Sequence, residues 1–599
     1  VDKRRDLFHT IRNLGAYSNV SASQSACSRH RVRATTCVEE LGGAFPFDPS
    51  HHADWKQSTV LRDDVQSVLK CRCSSGNFGS FIDLPLLDKQ ETLVYSNCSC
   101  NALSSFTHRY LKETPNPGSL NHDLLDRIIV GLASKIKEAM SKQGDFSPAE
   151  FIESKKGKLR SRYMNAHKKN VQRGVSLKDI SDIGAFVKNE RYFEEKAPRM
   201  IMGRNPRFNL LYARFISPVE KAFFSLDQVA NACDYSKCGK KFAELIGQWF
   251  FENDMSKYES SQRWFTLKLE YLVYALLFPD DLRELDALFA AKCAKFGRTT
   301  TGVKFDFNWC RGSGDMDTGL GNGILNYIST MYFQAINFCP LSSNCGLEKC
   351  SAVGCVSGKF VIKGDDSYGS MPVNGVFTNT YALFGFDAKL IVRQDPHDVE
   401  FCSGHFVRVK GGWYYVQKLR KLLTSIETVI NSDFIDRGWV AHYYRSLGMM
   451  YKVLYKGLPV YEHLADYLMT VVDYGLNFNL VRDNSYGVSE AFEHFESSAE
   501  ADVNTYHDIS MVNDMSYAEL DALIRTFKAQ RLVLPPQQYK QCRLRTKPSE
   551  HNVDEFVAEY NIYYSSINAD TLNKVQKNNL GCVRKARPRL NKLRHLMRL

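Results

Sequence analysis

Apolar and polar positions alternate or cluster along this chain in ways that predict its elements. "WFFEND" (249–254) is a short apolar run ending in an acid, the pattern of a buried strand with Asp254 at its C-terminal end. "SSQRWFTLKLEYLVYALLF" (260–278) then reads as a helix that Pro279 halts. "RGSGDMDTGLGNGILNYISTMYFQAINF" (311–338) opens as a glycine-containing loop and passes into a long uncharged helix. "VIKGDDSYGS" (361–370) reads as a short hairpin with two aspartates at its tip. "YALFGFDAKLIV" (381–392) offers a helix end followed by a strand, and "EFCSGHFVRVKGGWYYVQKLRKLL" (400–423) alternates as a hairpin turning at Gly411–Gly412. From about residue 425 onward the pattern is mostly helical, whereas 1–150 reads as loop-rich.

Composition narrows the class. With 599 residues, 44% hydrophobic and 24% charged, the chain can bury a substantial core, as one large enzyme or as several domains. The longest uncharged run, Thr318–Leu347, is broken throughout by Asn, Ser, Thr, Gln and Gly, so hydropathy gives no membrane span. Seventeen cysteines follow no small-domain framework and no secretory pattern opens the sequence, so the thiols are expected to be reduced in a cytosolic-type compartment. Val1 is read as the start of a processed or trimmed chain. Cys71, Cys73, Cys98 and Cys100, with His30, His51 or His52 as substitutes, and the group Cys339, Cys345, Cys350 and Cys355 are candidate zinc ligands. C-x-C strains a tetrahedral chelate and the second group fits no common spacing, so free thiols are the expectation for both.

Charge matters through its placement more than its net value of +12. Residues 155–173 carry Lys155, Lys156, Lys158, Arg160, Arg162, Lys168, Lys169 and Arg173 with no acid, which points to phosphate contact rather than to a merely solvated helix face. In 188–211, Lys188, Arg191, Lys196, Arg199, Arg204 and Arg207 are separated by turn and strand signals, and Pro198 and Pro206 are expected to hold the chain extended. Cations projecting from an extended strand suit a triphosphate or an RNA backbone. The tail 574–599 holds nine Lys or Arg and no acid, and reads either as a solvated end or as an arm that touches RNA.

The paired aspartates carry the chemistry. Adjacent carboxylates repel and raise each other's pKa, a cost that a cation between them removes. Two-metal phosphoryl transfer needs carboxylates from separate strands around two Mg²⁺ (or Mn²⁺) ions, and Asp254, Asp365 and Asp366 supply that number. The cations at 188–207 would meet the triphosphate, and Ser313, Thr318 and Asn322 would read a ribose. In this order along one chain the pieces describe a polymerase.

The same stretches resemble a viral RNA-dependent RNA polymerase of positive-strand RNA viruses, closest to the tombusvirus-like group. "KNERYFEEKAPRMIMGRNPRFN" resembles its nucleotide-channel motif, "DMSKYE" and "RGSGDMDTGLGN" its first two palm motifs, "GDD" the third, "GFDAKL" the fourth, and "EFCSGHFV…GGWYYV" its primer-grip hairpin. "ESKKGKLRSRYMNA" resembles its template-strand motif. The resemblance implies an α+β right hand with unpermuted motifs. Its parts would be an N-terminal extension (1–150), fingers (151–245), a palm with an inserted fingers segment (246–399), a primer grip (400–424), and a helical thumb with a basic tail (425–599). It implies Asp254, Asp365 and Asp366 as metal ligands, Lys389 as the acid that protonates pyrophosphate, and Lys188, Lys196, Arg199 and Arg204 along the nucleotide path. Lys155, Lys156, Lys158, Arg160, Arg162 and Arg207 would contact RNA. The family's first motif usually ends in a second aspartate, where this chain has Glu259. Its carboxylate is expected to orient Asn322 toward the 2′-hydroxyl and so to keep ribose selection.

The implied partners are template and product RNA, nucleoside triphosphates, and other viral replication or capsid proteins. The implied location is the host cytoplasm, in a replication complex attached to membrane through a partner, or the virus particle. A reverse transcriptase is disfavoured by the Ser-Gly-x₃-Thr-x₃-Asn array and Glu259. A non-catalytic RNA-binding scaffold would gain nothing from clustered carboxylates.

Overall fold

A computed structural model of the chain describes residues 59–62, 79–80, 93–95, 97–110, 114–143, 146–175, 179, 182–194, 196–230, 235–247, 249–338, 359–371, 377–429, 437–471, 499–532 and 569–598. The first half runs β1 (Thr59–Arg62), α1 (His122–Ser141), α2 (Gly157–Arg173), β2 (Asp182–Val187), β3 (Met200–Arg204), α3 (Pro206–Phe223) and α4 (Tyr235–Leu245). The centre follows with β4 (Trp249–Met255), α5 (Trp264–Leu277), α6 (Leu282–Cys293), β5 (Ala294–Thr299), β6 (Val303–Asn308) and α7 (Thr318–Phe338). Then come β7 (Phe360–Lys363), β8 (Asp366–Met371), β9 (Ala388–Arg393), β10 (Gly404–Val409) and β11 (Gly412–Gln417). Helices close the chain: α8 (Leu419–Glu427), α9 (Arg437–Leu454), α10 (Tyr461–Met469), α11 (Val503–Asn513), α12 (Tyr517–Ala529), α13 (Ala569–Lys585) and α14 (Arg587–Arg598). The architecture is mixed α+β, with small, mainly antiparallel sheets among helices.

The central sheet has the order β7-β8-β4-β9, all antiparallel. Its middle strand β4 is buried from Phe250 to Met255 except at Asp254, and Trp249 at its start is half-buried. Alternation sends Phe251 and Met255 to one face, against α1, α3, α5 and α7, and Phe250 to the other, against α4 and the β10–β11 hairpin. Burying both faces explains why "WFFEND" reads as a continuous apolar run. The β7–β8 turn is Gly364–Asp365, and Gly364 takes the left-handed conformation (φ +61°) that a two-residue hairpin turn demands. A second sheet has the order β1-β6-β5-β2-β3, with β2 and β5 parallel.

Several expectations need correcting. The N-terminal 150 residues are not uniformly loop: α1 is a twenty-residue helix, capped by Asn121, whose apolar face enters the main core. The helix expected from Ser260 begins at Trp264, after a break at Gln262–Arg263. The β10–β11 turn is Lys410–Gly411, one residue earlier than read, because Val409 pairs with Gly412. Pro206 does not extend the chain: Asn205 caps α3 and Pro206 occupies its first turn, where a missing N–H costs nothing.

The basic tail is neither a solvated end nor an arm. α13 and α14 return to the main core, where Val583, Leu590 and Leu593 are fully buried, each burial worth roughly 1.5–3 kcal/mol. Three of its cations pair with acids of the main body, Arg587 with Asp286, and Arg589 and Lys592 with Asp126. Among the described residues no helix is long and apolar enough to cross a membrane. Cys71, Cys73, His30, His51, His52 and the Cys339–Cys355 group lie outside the described residues. Cys98 is buried, with its sulfur accepting the backbone N–H of Asn101 at a helix start.

Candidate active site

Register brings the expected catalytic residues to one end of the central sheet. Lys389 of β9 pairs directly with Asp254 of β4. On the other side Ser367 pairs with Asn253, so continuing that ladder by one residue sets Asp366 opposite Asp254. Residues directly opposite share a face, so Asp254, Lys389 and Asp366 point to the same side of the sheet. Asp254 and Lys389 are exposed there and Asp366 is half-buried.

Asp365, in the turn itself, is pushed up to about 7 by burial, then by the charges of Asp366 and Glu259, with Arg199 opposing. Burial also raises Asp366; a hydrogen bond from the Cys402 thiol opposes this, and the charge of Asp254 adds to it. Among the described residues no three His, Cys, Asp or Glu side chains already close on one point as a metal cage. Asp366 faces Asp254, while Asp365 faces Glu259 and Arg199. Hard carboxylate oxygens that repel one another fit divalent cations of the Mg²⁺ type. The turn is clamped from α7, because Asn326 Nδ2 donates to the carbonyls of both Gly364 and Asp366 at 3.1 Å.

The loop before α7 shapes the neighbouring recess, lined by Arg109, Tyr110, Arg199, Lys257, Glu259 and Ser313. Ser313 Oγ donates to Glu259 Oε1 at 2.8 Å, and the Ser313 carbonyl accepts the Met202 N–H of β3. Thr318 does not reach outward: its hydroxyl donates to the carbonyls of Gly312 and Asp315 and so closes the loop. Asn322, 7% exposed, is held not by Glu259 but by Gln262, whose Nε2 donates to Asn322 Oδ1 at 2.7 Å.

Beneath the loop lies a buried ionic network. Arg311 donates to Glu270 (2.5 Å) and Lys292 bridges Glu270 (2.8 Å) and Asp317 (2.7 Å). Arg204 and Lys295 both pair with Asp315, at 2.9 and 2.5 Å. Although burial works the other way, Arg311 and Lys292 hold the Glu270 carboxyl down at about 2. Gly321 of α7 makes room for this, since a Cβ there would overlap the Arg311 guanidinium.

Arg204 is therefore corrected. It is 3% exposed and ties β3 to Asp315 and to the carbonyls of Lys292 and Ala294, so it positions the loop rather than lining a channel. Arg207 is also corrected: Asp179 at 2.6 Å, Asn170 and the Gly174 carbonyl engage its guanidinium, which fastens α2 to α3. Lys155 lies over the Phe151 ring at 4.3 Å and is half-buried. Lys188 forms a half-buried pair with Glu190 and Lys196 an exposed one with Glu194, and Arg199 reaches the recess. On α2 only Tyr163 and Ala166 are buried, which leaves Lys158, Arg160 and Arg162 exposed. Lys156 begins that helix as its N-cap residue.

Sequence reasoning missed Gln262, Arg311, Glu270 and Asn326. Asn322 and Asn326 at i and i+4 on an otherwise apolar helix were a legible signal that one face of α7 binds polar groups. A larger cavity of about 570 Å³ lies between the β10–β11 hairpin and α8–α9, lined by Arg191, Lys363, Cys402, Lys418, Lys421 and Tyr451.

Residues 86–532 match a family model described as viral RNA dependent RNA polymerase. Curated relatives include the RNA-directed RNA polymerases of Groundnut rosette virus (strain MC1), 27% identical over 53% of this chain and 38% of its own length, and of Carnation mottle virus, 24% identical over 57% and 45%. That of Turnip crinkle virus is 24% identical over 51% of this chain and 40% of its own. The chain spans under half the length of each of these relatives.

Proposed function

Because the chain belongs to the viral RNA-dependent RNA polymerase family, we propose that it copies an RNA template by joining nucleoside monophosphates to an RNA 3′-hydroxyl and releasing pyrophosphate. The observation that carries this reading is the meeting of Asp254, Asp366 and Lys389 on one sheet face, with Asp365 in the adjoining turn.

Asp254, Asp365 and Asp366 would hold two Mg²⁺ ions, which when bound would lower the pKa of an attacking hydroxyl and neutralise charge on a leaving pyrophosphate. The chain's own groups do the rest. Arg199 draws the triphosphate into the recess, with Lys188 and Lys196 at its approach. Ser313 and Glu259 shape the wall against the sugar, and Asn322 reads it. The ammonium of Lys389, beside Asp254, gives its proton to the departing pyrophosphate. Residues 246–399 then serve as palm, 151–245 as fingers, 400–424 as primer grip and the helices α9–α12 as thumb, while α13 and α14 brace the main core. The cation-lined cavity by Cys402 would take the end of the product strand. Attachment to membranes or to other viral proteins would come through partners.

Purified chain supplied with an unrelated RNA template, four ribonucleoside triphosphates and magnesium is expected to make complementary RNA, and EDTA to reduce this to background. Absence of synthesis with either Mg²⁺ or Mn²⁺ overturns the reading. The exposed face of α2 would follow the template backbone. Replacing Lys158, Arg160 and Arg162 by Ala is expected to weaken RNA binding and to flatten the plot of log K against log salt by about 2, or ~0.7 per lost phosphate contact. An unchanged slope removes α2 from the RNA path.

A further inference from the structure

We propose that Gln262, and not the carboxylate of Glu259, positions Asn322 to read the sugar of the incoming nucleotide; the inference rests on the polymerase reading above. Gln262 is fully buried between two partners. Arg311 Nε donates to its Oε1 at 2.7 Å, and its Nε2 donates to Asn322 Oδ1 at 2.7 Å.

The direction of this relay is forced. A guanidinium carries donors only, so the Gln262 atom facing Arg311 must be the carbonyl oxygen. Its NH₂ group then faces Asn322, and the atom it meets there must be the acceptor Oδ1. The NH₂ of Asn322 is left on the far side of the carboxamide as a donor, suited to a 2′-hydroxyl acting as acceptor. Arg311 cannot turn to reverse this, because Glu270 fixes its other nitrogens at 2.5 and 3.3 Å.

A carboxylate in the same role would do the opposite. It would accept from the NH₂ of Asn322 and leave Oδ1 to face the sugar. Glu259 is engaged elsewhere, accepting from Ser313 Oγ at 2.8 Å. The buried charges at 270 and 311 thereby acquire a purpose at the substrate: they fix which end of Asn322 is offered. Sugar selection and loop shape are divided here between Gln262 and Glu259.

The test compares kcat/KM for ATP and 2′-deoxy-ATP on one RNA template. Gln262→Glu keeps an acceptor for Arg311 but loses the donor to Asn322; Gln262→Leu loses both. Each is expected to reduce the ribo-to-deoxy ratio by roughly tenfold or more, through a higher KM for ATP with little change for 2′-deoxy-ATP. Glu259→Gln is expected to slow synthesis with both nucleotides and to leave the ratio within about threefold. In an Asn322→Ala background, Gln262→Glu is expected to change nothing further, a non-additivity that a general loss of folding does not produce. An unchanged ratio in Gln262→Glu, a further fall in the double variant, or a collapse of the ratio in Glu259→Gln instead, overturns the assignment. Wild-type chain that incorporates no nucleotide on RNA overturns the polymerase reading, a distinct result.

Discussion

Asp365→Asn is expected to reduce nucleotide addition at least about a thousandfold, or ~4 kcal/mol of barrier, while RNA affinity is kept or slightly improved. The two effects part because the carboxylate is asked to hold cations at the reacting phosphate, whereas RNA affinity comes from Lys and Arg facing phosphates. The same substitution should stabilise the metal-free protein. In the fold, burial and then the charges of Asp366 and Glu259 oppose ionisation of Asp365 and push its carboxyl up to about 7. Its folded pKa lies above its unfolded value, so the native state holds the proton more tightly, and ionisation of this group costs stability as pH rises. The gain in unfolding midpoint on going to Asn is therefore expected to be largest above about pH 7 in chelator and to shrink toward pH 4. Synthesis within tenfold of wild type by Asp365→Asn would remove this carboxylate from the chemistry. A stability gain independent of pH would mean that its charge is not strained.

The second large effect concerns stability. Arg311→Met should cost about 3–5 kcal/mol, because it leaves Glu270 and Asp317, in a fully buried setting, to share Lys292 as their one remaining cation among the described residues. Replacing Arg311 and Glu270 together, by Met and Gln, should cost clearly less than the sum of the two single changes, since removing both charges avoids an unpaired one. Denaturant midpoints of the three variants check this. Additive losses, or a loss under about 1 kcal/mol for Arg311→Met, would mean that water reaches the network and screens it.

Much of the central sheet was legible because its strands announce themselves locally. "WFFEND" opens on an apolar run, Trp249–Phe251, that supplies both faces and ends at Asp254, which meets solvent, and Gly364–Asp365 is a turn dipeptide between alternating segments. The tail and the basic segment at 188–207 misled for a shared reason. Charge in a sequence looks solvated until its counter-charge is found, and the partners of Arg204, Arg207 and Arg589 lie 111, 28 and 463 residues away. Proline at 206 misled differently: the residue that extends a strand also opens a helix, and only the Asn205 cap decides between them.

By itself, the order of residues determined that three aspartates and a lysine would be placed on strands and a tight turn, since backbone preference and hydrophobic period act over a few neighbours. It determined the family for the same reason, as the motifs are contiguous. Which cations face a substrate and which are locked in the core, and which partner holds Asn322, were decided only by tertiary packing. A buried charge or carboxamide takes its role from whichever donor or acceptor the fold sets within about 3 Å, and no local pattern encodes that choice.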